Sequence, residues 1–380
     1  MGQSYRANQN VRKFVSIHHD IKIQRPWLTV IKEGKMERFK AGSYIVASLV
    51  VWFLVFLPSN ASIAQQARPI ELTFGSPFAA EMPVQQPNKD WMEKIEKDTG
   101  GRVHFKAFWA GTVIDAAEGH TELAQGAADV AEIAPLFAKS GYYLTKGTFL
   151  FYYGVTNQQV AKRVGEAVRA KFPQIEQEYK GLKALAWSGN APMQLITRKP
   201  VRKLSDLKAM RLRTNGDYSN VFAALGAEIV QMPSSDIYVG LQKGIIDGVM
   251  MPGLAFDSFH LEEMAKYVTM LNIYQPYSCQ RAMNINSFNK LPPDIRKIFE
   301  QNIEWWGNDA DRILNKISDD GLQIAKKAGV EFITLSKEDM QKFNDAVKVE
   351  ALKAAKDLDA KGLPGTQIFS ETRRLIETAK

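Results

Sequence analysis

The run AMRLRTNGDYSNVFAALGAEIVQMPSSDIYVGLQKGIIDGVMMPG, residues 209–253, decides the fold. Residues 210–213 (MRLR) form a short strand, and Asn215, Gly216 and Asp217 form a turn, because Gly and Asn reach positive φ at little cost. Val221, Phe222 and Leu225 share one face of a helix that Gly226 ends. Residues 228–232 read as a second strand closed by Pro233, and Ser234 or Ser235 caps a helix running to Gln242. Gly244 and the Asp247–Gly248 turn lead to a third strand, 249–251, stopped by Pro252. Strand and helix alternate as they do in a parallel α/β lobe. Ligands of such lobes sit beyond the carboxyl ends of the strands. Arg213 stands at the end of the first strand, and a guanidinium fixed in a cleft is a two-pronged receptor for a carboxylate.

LKAMRLR (207–213), ALGAEIVQMP (224–233) and LQKGIIDG (241–248) together resemble the central signature of the TRAP-transporter (DctP-type) periplasmic solute-binding family. GGRVHF (100–105), LAQGAADV (123–130), KGLKAL (180–185), RKPV (198–201) and LPPD (291–294) resemble further landmarks of that family in the right order, so the resemblance runs from about Arg68 to the C-terminus. It implies an α/β protein of two lobes, a ligand cleft between them and a long helix spanning both. It also implies a non-enzymatic function: capture of an organic anion in the bacterial periplasm and delivery to the membrane subunits of an ion-gradient-driven transporter. The lobes would close like jaws on a hinge. Arg213 matches the carboxylate-binding arginine of the family.

The departures narrow the guest. Asn215 stands where the family often has Pro. Met251 falls at the place of an Asn that reaches the ligand in sialate-type members, Met193 falls near their second arginine, and Ser234 replaces an aromatic. The polar clamps of a sugar acid are missing, which points to a monocarboxylate with an apolar or aromatic body. A C4-dicarboxylate is the less favoured alternative, because no second cationic anchor is evident. Phe78, Glu81, Trp187, Tyr238 and Met251 are the further candidates for the cleft. The rival class is a ligand-sensing partner of a periplasmic signalling receptor.

The chain of 380 residues is 45% apolar, enough for two medium lobes. Its net charge of +8 is uneven: residues 1–64 carry nine Lys/Arg against three Asp/Glu, and the rest is nearly balanced. No basic groove with interleaved aromatics appears, so nucleic acid is not expected as a partner. Cys279 is the only cysteine, which excludes an internal disulfide. No G-x-S-x-G, P-loop, G-x-G-x-x-G or H-E-x-x-H motif is present, and His104, His120 and His260 are isolated in sequence. No catalytic site, metal or cofactor is expected. A monomer is.

YIVASLVVWFLVFL (44–57) is an uncharged run of 14 residues, short for a membrane span and right for the core of a signal peptide. Arg38 and Lys40 precede it, and Ser62 and Ala64 offer a small-x-small site, so cleavage is expected after Ala64, with an uncleaved anchor as the rival. The expected organisation is a non-native extension (1–35), signal peptide (36–64), first lobe (65–189), second lobe (190–280), return to the first lobe (281–292), long lobe-spanning helix (293–328) and a C-terminal helical segment on the lobes (329–380). Strands are expected at 69–74, 102–108, 130–133, 182–188, 193–198, 267–272 and 281–285, and helices at 87–97, 114–125, 256–265, 336–360 and 367–380. Residues 135–137 follow a strand end and should face the cleft, whereas the aromatics of 149–153 read as core. Trp187 lies where the chain crosses between lobes, free by position either to stack on a guest or to fill the hinge.

Overall fold

The computed structural model describes residues 68–379 except 190, 215, 217, 277 and 278, so the leader, the extension before it and the turn residues Asn215 and Asp217 lie outside the described residues. Among the described residues eleven strands form two sheets. The first sheet holds β1 (Ile70–Gly75), β2 (Val103–Phe108), β3 (Val130–Ile133), β4 (Leu182–Ser188) and β10 (Cys279–Asn284), in the order β2-β1-β3-β10-β4. β1 runs parallel to β2 and β3, and β10 is antiparallel to β3 and β4. The second sheet holds β5 (Met193–Thr197), β6 (Arg211–Arg213), β7 (Glu228–Ile229), β8 (Gly248–Pro252), β9 (Tyr267–Ile273) and β11 (Glu331–Ile333), in the order β11-β9-β5-β8-β6-β7.

Within that sheet β6 pairs in parallel with both β7 and β8, as the alternation of residues 209–253 requires. The chain passes between the sheets three times, after β4, before β10 and again between β10 and β11. Each sheet has its own core: Phe74, Trp91, Ile95, Val103 and Met283 in the first lobe, Ile196, Ile237, Leu241, Val249 and Phe256 in the second. The aromatic run at 149–153 enters a further core with the C-terminal helices, where Phe151 meets Phe369 edge-on and Phe222 packs on Phe343.

Three expected helices are shorter or broken. The helix foreseen over 114–125 is Gly119–Gln125, with Ile114 buried in the loop before it. The one foreseen over 256–265 is two short helices, Ala255–Phe259 and Leu261–Met264, separated by His260 at φ 49. The long helix is interrupted at Asn302, giving Pro293–Gln301 and Ile303–Lys327. There the Asn302 side chain donates to the Ile298 carbonyl and to Asp98 Oδ2, and its backbone N–H is shared between the Ile298 and Phe299 carbonyls. Local bonding of this kind competes with helix continuation.

Helix Ile303–Lys327 still joins the lobes. It packs on β4 and on helix Gln86–Asp98 in the first lobe, where Trp306 stacks on Trp91 at 3.9 Å, and on helix Ala255–Phe259 in the second. Two glycines allow the approach. A Cβ on Gly307 would lie 2.7 Å from the Trp187 carbonyl oxygen, and one on Gly321 would overlap the carbonyl of Gly253. Ser318 Oγ accepts the Gly253 N–H at 3.0 Å beside that second contact. At the start of the next helix, Lys337–Asp359, Ser336 Oγ accepts the Asp339 N–H and caps it.

Candidate functional site

β6 ends on Arg213, and its side chain turns into a cavity of about 340 Å³ between the lobes. Met193, Gln231 and Met250 of the second lobe line it, as do Leu136, Phe137 and Phe149 from the other side. Arg213 is 8% exposed. Its Nη2 donates to Ser234 Oγ at 3.1 Å and its Nε to the Met232 carbonyl at 3.4 Å. Among the described residues no carboxylate pairs with it and none lines this cavity. Burial therefore pushes the guanidinium below the usual arginine range. A charge held this way is a receptor for an anion.

Lys146 lines the same cavity and donates to the Ala138 carbonyl at 2.9 Å. Sequence reading missed it, because it lies in an aromatic stretch with no motif around it. Leu136 and Phe137, which follow β3 as foreseen, also belong to a second cavity of about 470 Å³. Its wall is chiefly apolar: Phe78, Met82, Val84, Met251 and Phe259, with Leu314 and Ile317 of the long helix. Ser234 lines this second cavity while bonding Arg213, which joins the two spaces at the guanidinium.

Of the candidates read from the sequence, Arg213, Phe78 and Met251 line these cavities, and Glu81, Trp187 and Tyr238 line neither. Glu81 is exposed in the loop whose Phe78 and Met82 border the larger cavity. Trp187 is 8% exposed, with the Arg169 guanidinium 3.8 Å from its ring centroid and Tyr179 edge-on at 5.0 Å; it fills the crossing. Tyr238 donates to Glu263 Oε2 at 2.6 Å on an exposed face. Residues unforeseen by the sequence include Glu132 on β3 and Arg281 on β10, a buried pair at the wall of the larger cavity. A charged residue inside the buried strand VAEI, and another within the buried run 280–284 of β10, was the available signal.

No group of three His, Cys, Asp or Glu side chains among the described residues could hold a metal ion. None of their helices is long and apolar enough to cross a membrane.

Two α/β lobes joined by a spanning helix are the arrangement the sequence resemblance called for, and comparison with known proteins agrees. The bacterial extracellular solute-binding protein family 7 (DctP) matches over residues 74–357. The chain belongs to this family. The C4-dicarboxylate-binding periplasmic protein DctP of Rhodobacter capsulatus is 25% identical over 284 residues, 73% of this chain and 84% of that protein. A TRAP periplasmic solute-binding protein of Desulfovibrio salexigens, solved in an open form, superposes with a TM-score of 0.72 at 26% identity, covering 81% of this chain and 95% of the other. One from Rhodoferax ferrireducens, solved with copurified benzoate, gives 0.68 at 24% identity over 81% and 98%.

The two-lobed DctP fold is thus that of a transport component, and proteins of this kind bind small organic acids and work with TRAP membrane subunits. The family is extracytoplasmic, and its members are solute binders rather than enzymes.

Proposed function

We propose that this DctP-family protein captures a monocarboxylate with an apolar or aromatic body in the periplasm and delivers it, as a monomer, to a TRAP transporter. The observation that carries this is Arg213: 8% exposed, without a carboxylate partner among the described residues, at the junction of a smaller cavity of mixed lining and a larger, chiefly apolar one. The ligand carboxylate takes the guanidinium fork, and the apolar body fills the space beside Phe78, Met251 and Phe259. The benzoate found in the Rhodoferax relative supports a body of that chemistry. Cleft closure removes the remaining water from the pair and strengthens it.

Lys146 in the same small cavity favours a second reading, a C4-dicarboxylate whose other carboxylate meets the ammonium, and the Rhodobacter relative's name supports it. Calorimetric titration of the purified protein with benzoate, phenylacetate and succinate separates the two. The first reading expects an aromatic acid to bind and succinate to fail, with binding lost in Arg213→Met. Tight succinate binding, weakened by Lys146→Met, establishes the second. Aromatic-acid binding that survives Arg213→Met removes Arg213 as the anchor.

A further inference from the structure

Arg281 and Glu132 stand directly opposite each other on the antiparallel strands β10 and β3. Their side chains are 2% and 3% exposed, and both reach the wall of the larger cavity. The outer parts of the pair are held firmly. Arg281 Nε donates to Asn88 Oδ1 at 2.9 Å and Nη1 to Ser188 Oγ. Glu132 Oε2 accepts from Ser76 Oγ at 3.0 Å and from Asn88 Nδ2 at 2.9 Å. The inner part is loose: Arg281 Nη2 and Glu132 Oε1 are 3.5 Å apart, and Oε1 accepts from no other described group. Beside them Gln85, fully buried, accepts on Oε1 from Asn88 and shares the single Ser76 hydroxyl proton with Glu132, while its Nε2 finds no partner among the described residues.

A buried ion pair stabilises only when its geometry is good and its remaining hydrogen-bonding capacity is met. Neither holds for the Nη2–Oε1 contact. The strand is also irregular at this point, because the register between β10 and β4 shifts between Arg281 and Ala282. Such a bulge re-aims a side chain. What the pair offers the cavity is a donor and an acceptor side by side. A hydroxyl, which donates and accepts at once, satisfies both. A second carboxylate would meet the Glu132 carboxylate, and an ammonium would meet the Arg281 guanidinium.

We propose that Arg281 and Glu132 form a specificity subsite for a neutral hydroxyl on the ligand body, so that the guest is a hydroxylated, chiefly apolar or aromatic monocarboxylate. This rests on the carboxylate reading of Arg213. In it the hydroxyl donates to Glu132 Oε1 and accepts from Arg281 Nη2, and the loose contact between the two is replaced by a bridge through the ligand.

The test is calorimetric titration of the purified protein with benzoate, phenylacetate and 3-phenylpropanoate, each with and without a meta or para hydroxyl, and with benzene-1,3-dicarboxylate. A hydroxyl bonded to charged partners in a dry site should tighten binding by about tenfold or more for the body of matching length. The dicarboxylate should bind no tighter than benzoate. In Glu132→Gln the hydroxyl preference should fall below about threefold while the parent acid still binds, and Arg281→Lys, which keeps a cation, should also lose most of the preference. If both variants fail to fold, the wild-type series alone decides. Parent acids that bind with no gain from any hydroxyl overturn the subsite and leave the Arg213 reading standing. A preference that persists in Glu132→Gln overturns it equally. Failure of every parent acid to bind overturns both.

Discussion

Replacing Arg213 with methionine should make the empty protein no less stable and the loaded protein far weaker. The empty cleft holds a guanidinium that is 8% exposed and lacks a carboxylate partner among the described residues. Its two hydrogen bonds go to neutral acceptors and are long for a charged donor, at 3.1 and 3.4 Å, so they are worth about 1.5 kcal/mol each at most. Desolvation of a buried ion costs several kcal/mol, the same burial that pulls this guanidinium below its ordinary range. Methionine fills comparable volume without the charge. We therefore expect the ligand-free variant to gain about 1 kcal/mol, read as a melting point higher by roughly 2 °C. Affinity should move the other way. Removing one partner of a desolvated, hydrogen-bonded charge pair costs about 2–5 kcal/mol, or roughly thirty-fold to several thousand-fold in Kd. Differential scanning calorimetry without ligand and titration with the best acid measure both. A structural arginine would give the reverse: a ligand-free melt lower by several degrees with affinity little changed. That result would refute the reasoning, because the charge would then be serving the fold.

Three further outcomes follow from the scaffold. Gly321→Ala places a methyl against the Gly253 carbonyl, and overpacking against backbone should cost about 2 kcal/mol in urea unfolding; an unchanged midpoint would show that the helix does not rest there. Asn302→Asp sets a second carboxylate beside Asp98, which now accepts from Asn302 Nδ2 at 3.1 Å; the variant should lose about 2 kcal/mol at neutral pH and recover part of it below pH 4, whereas a pH-independent loss would rule out repulsion as the cause. The Glu371 carboxyl is held down to about 2, chiefly by the Arg374 hydrogen bond and then by that from Lys171. A depressed folded value adds stability above the ordinary 4.5 and loses it as pH falls toward 2, so the melting gap between wild type and Glu371→Gln should close across that window. A gap constant with pH would show that packing, not charge, separates them.

The second lobe was legible because its signals are local. Each strand of residues 209–253 is bounded by its own Gly, Pro or Asp-Gly turn, and parallel pairing of β6 with β7 and β8 follows from that alternation. Arg213 was legible for the same reason, as the last residue of a short strand. What escaped depends on distant partners. Nothing near Asn302 announces a break; its side chain reaches Asp98, far back in the chain. Trp187 and Tyr238 looked available as isolated aromatics, and each is engaged, by Arg169 and Glu263 respectively. Glu132 and Arg281 meet only because β10 returns to the first sheet beside β3, a pairing that sequence periodicity does not encode.

The close contacts of Gly307 and Gly321 with the two lobes are fourteen residues apart along one helix, about 21 Å of stiff rod. With both ends seated on backbone, the lobes are free to change their angle but not their spacing along that edge. Leu314 and Ile317, which line the larger cavity, lie between the two seats. The floor beneath the guest is therefore a beam supported at both ends. A ligand too bulky for the space must bow the beam or lift one support, and either response is felt by both lobes at once. If a guest binds there as proposed, its size would in this way set the angle at which the cleft shuts.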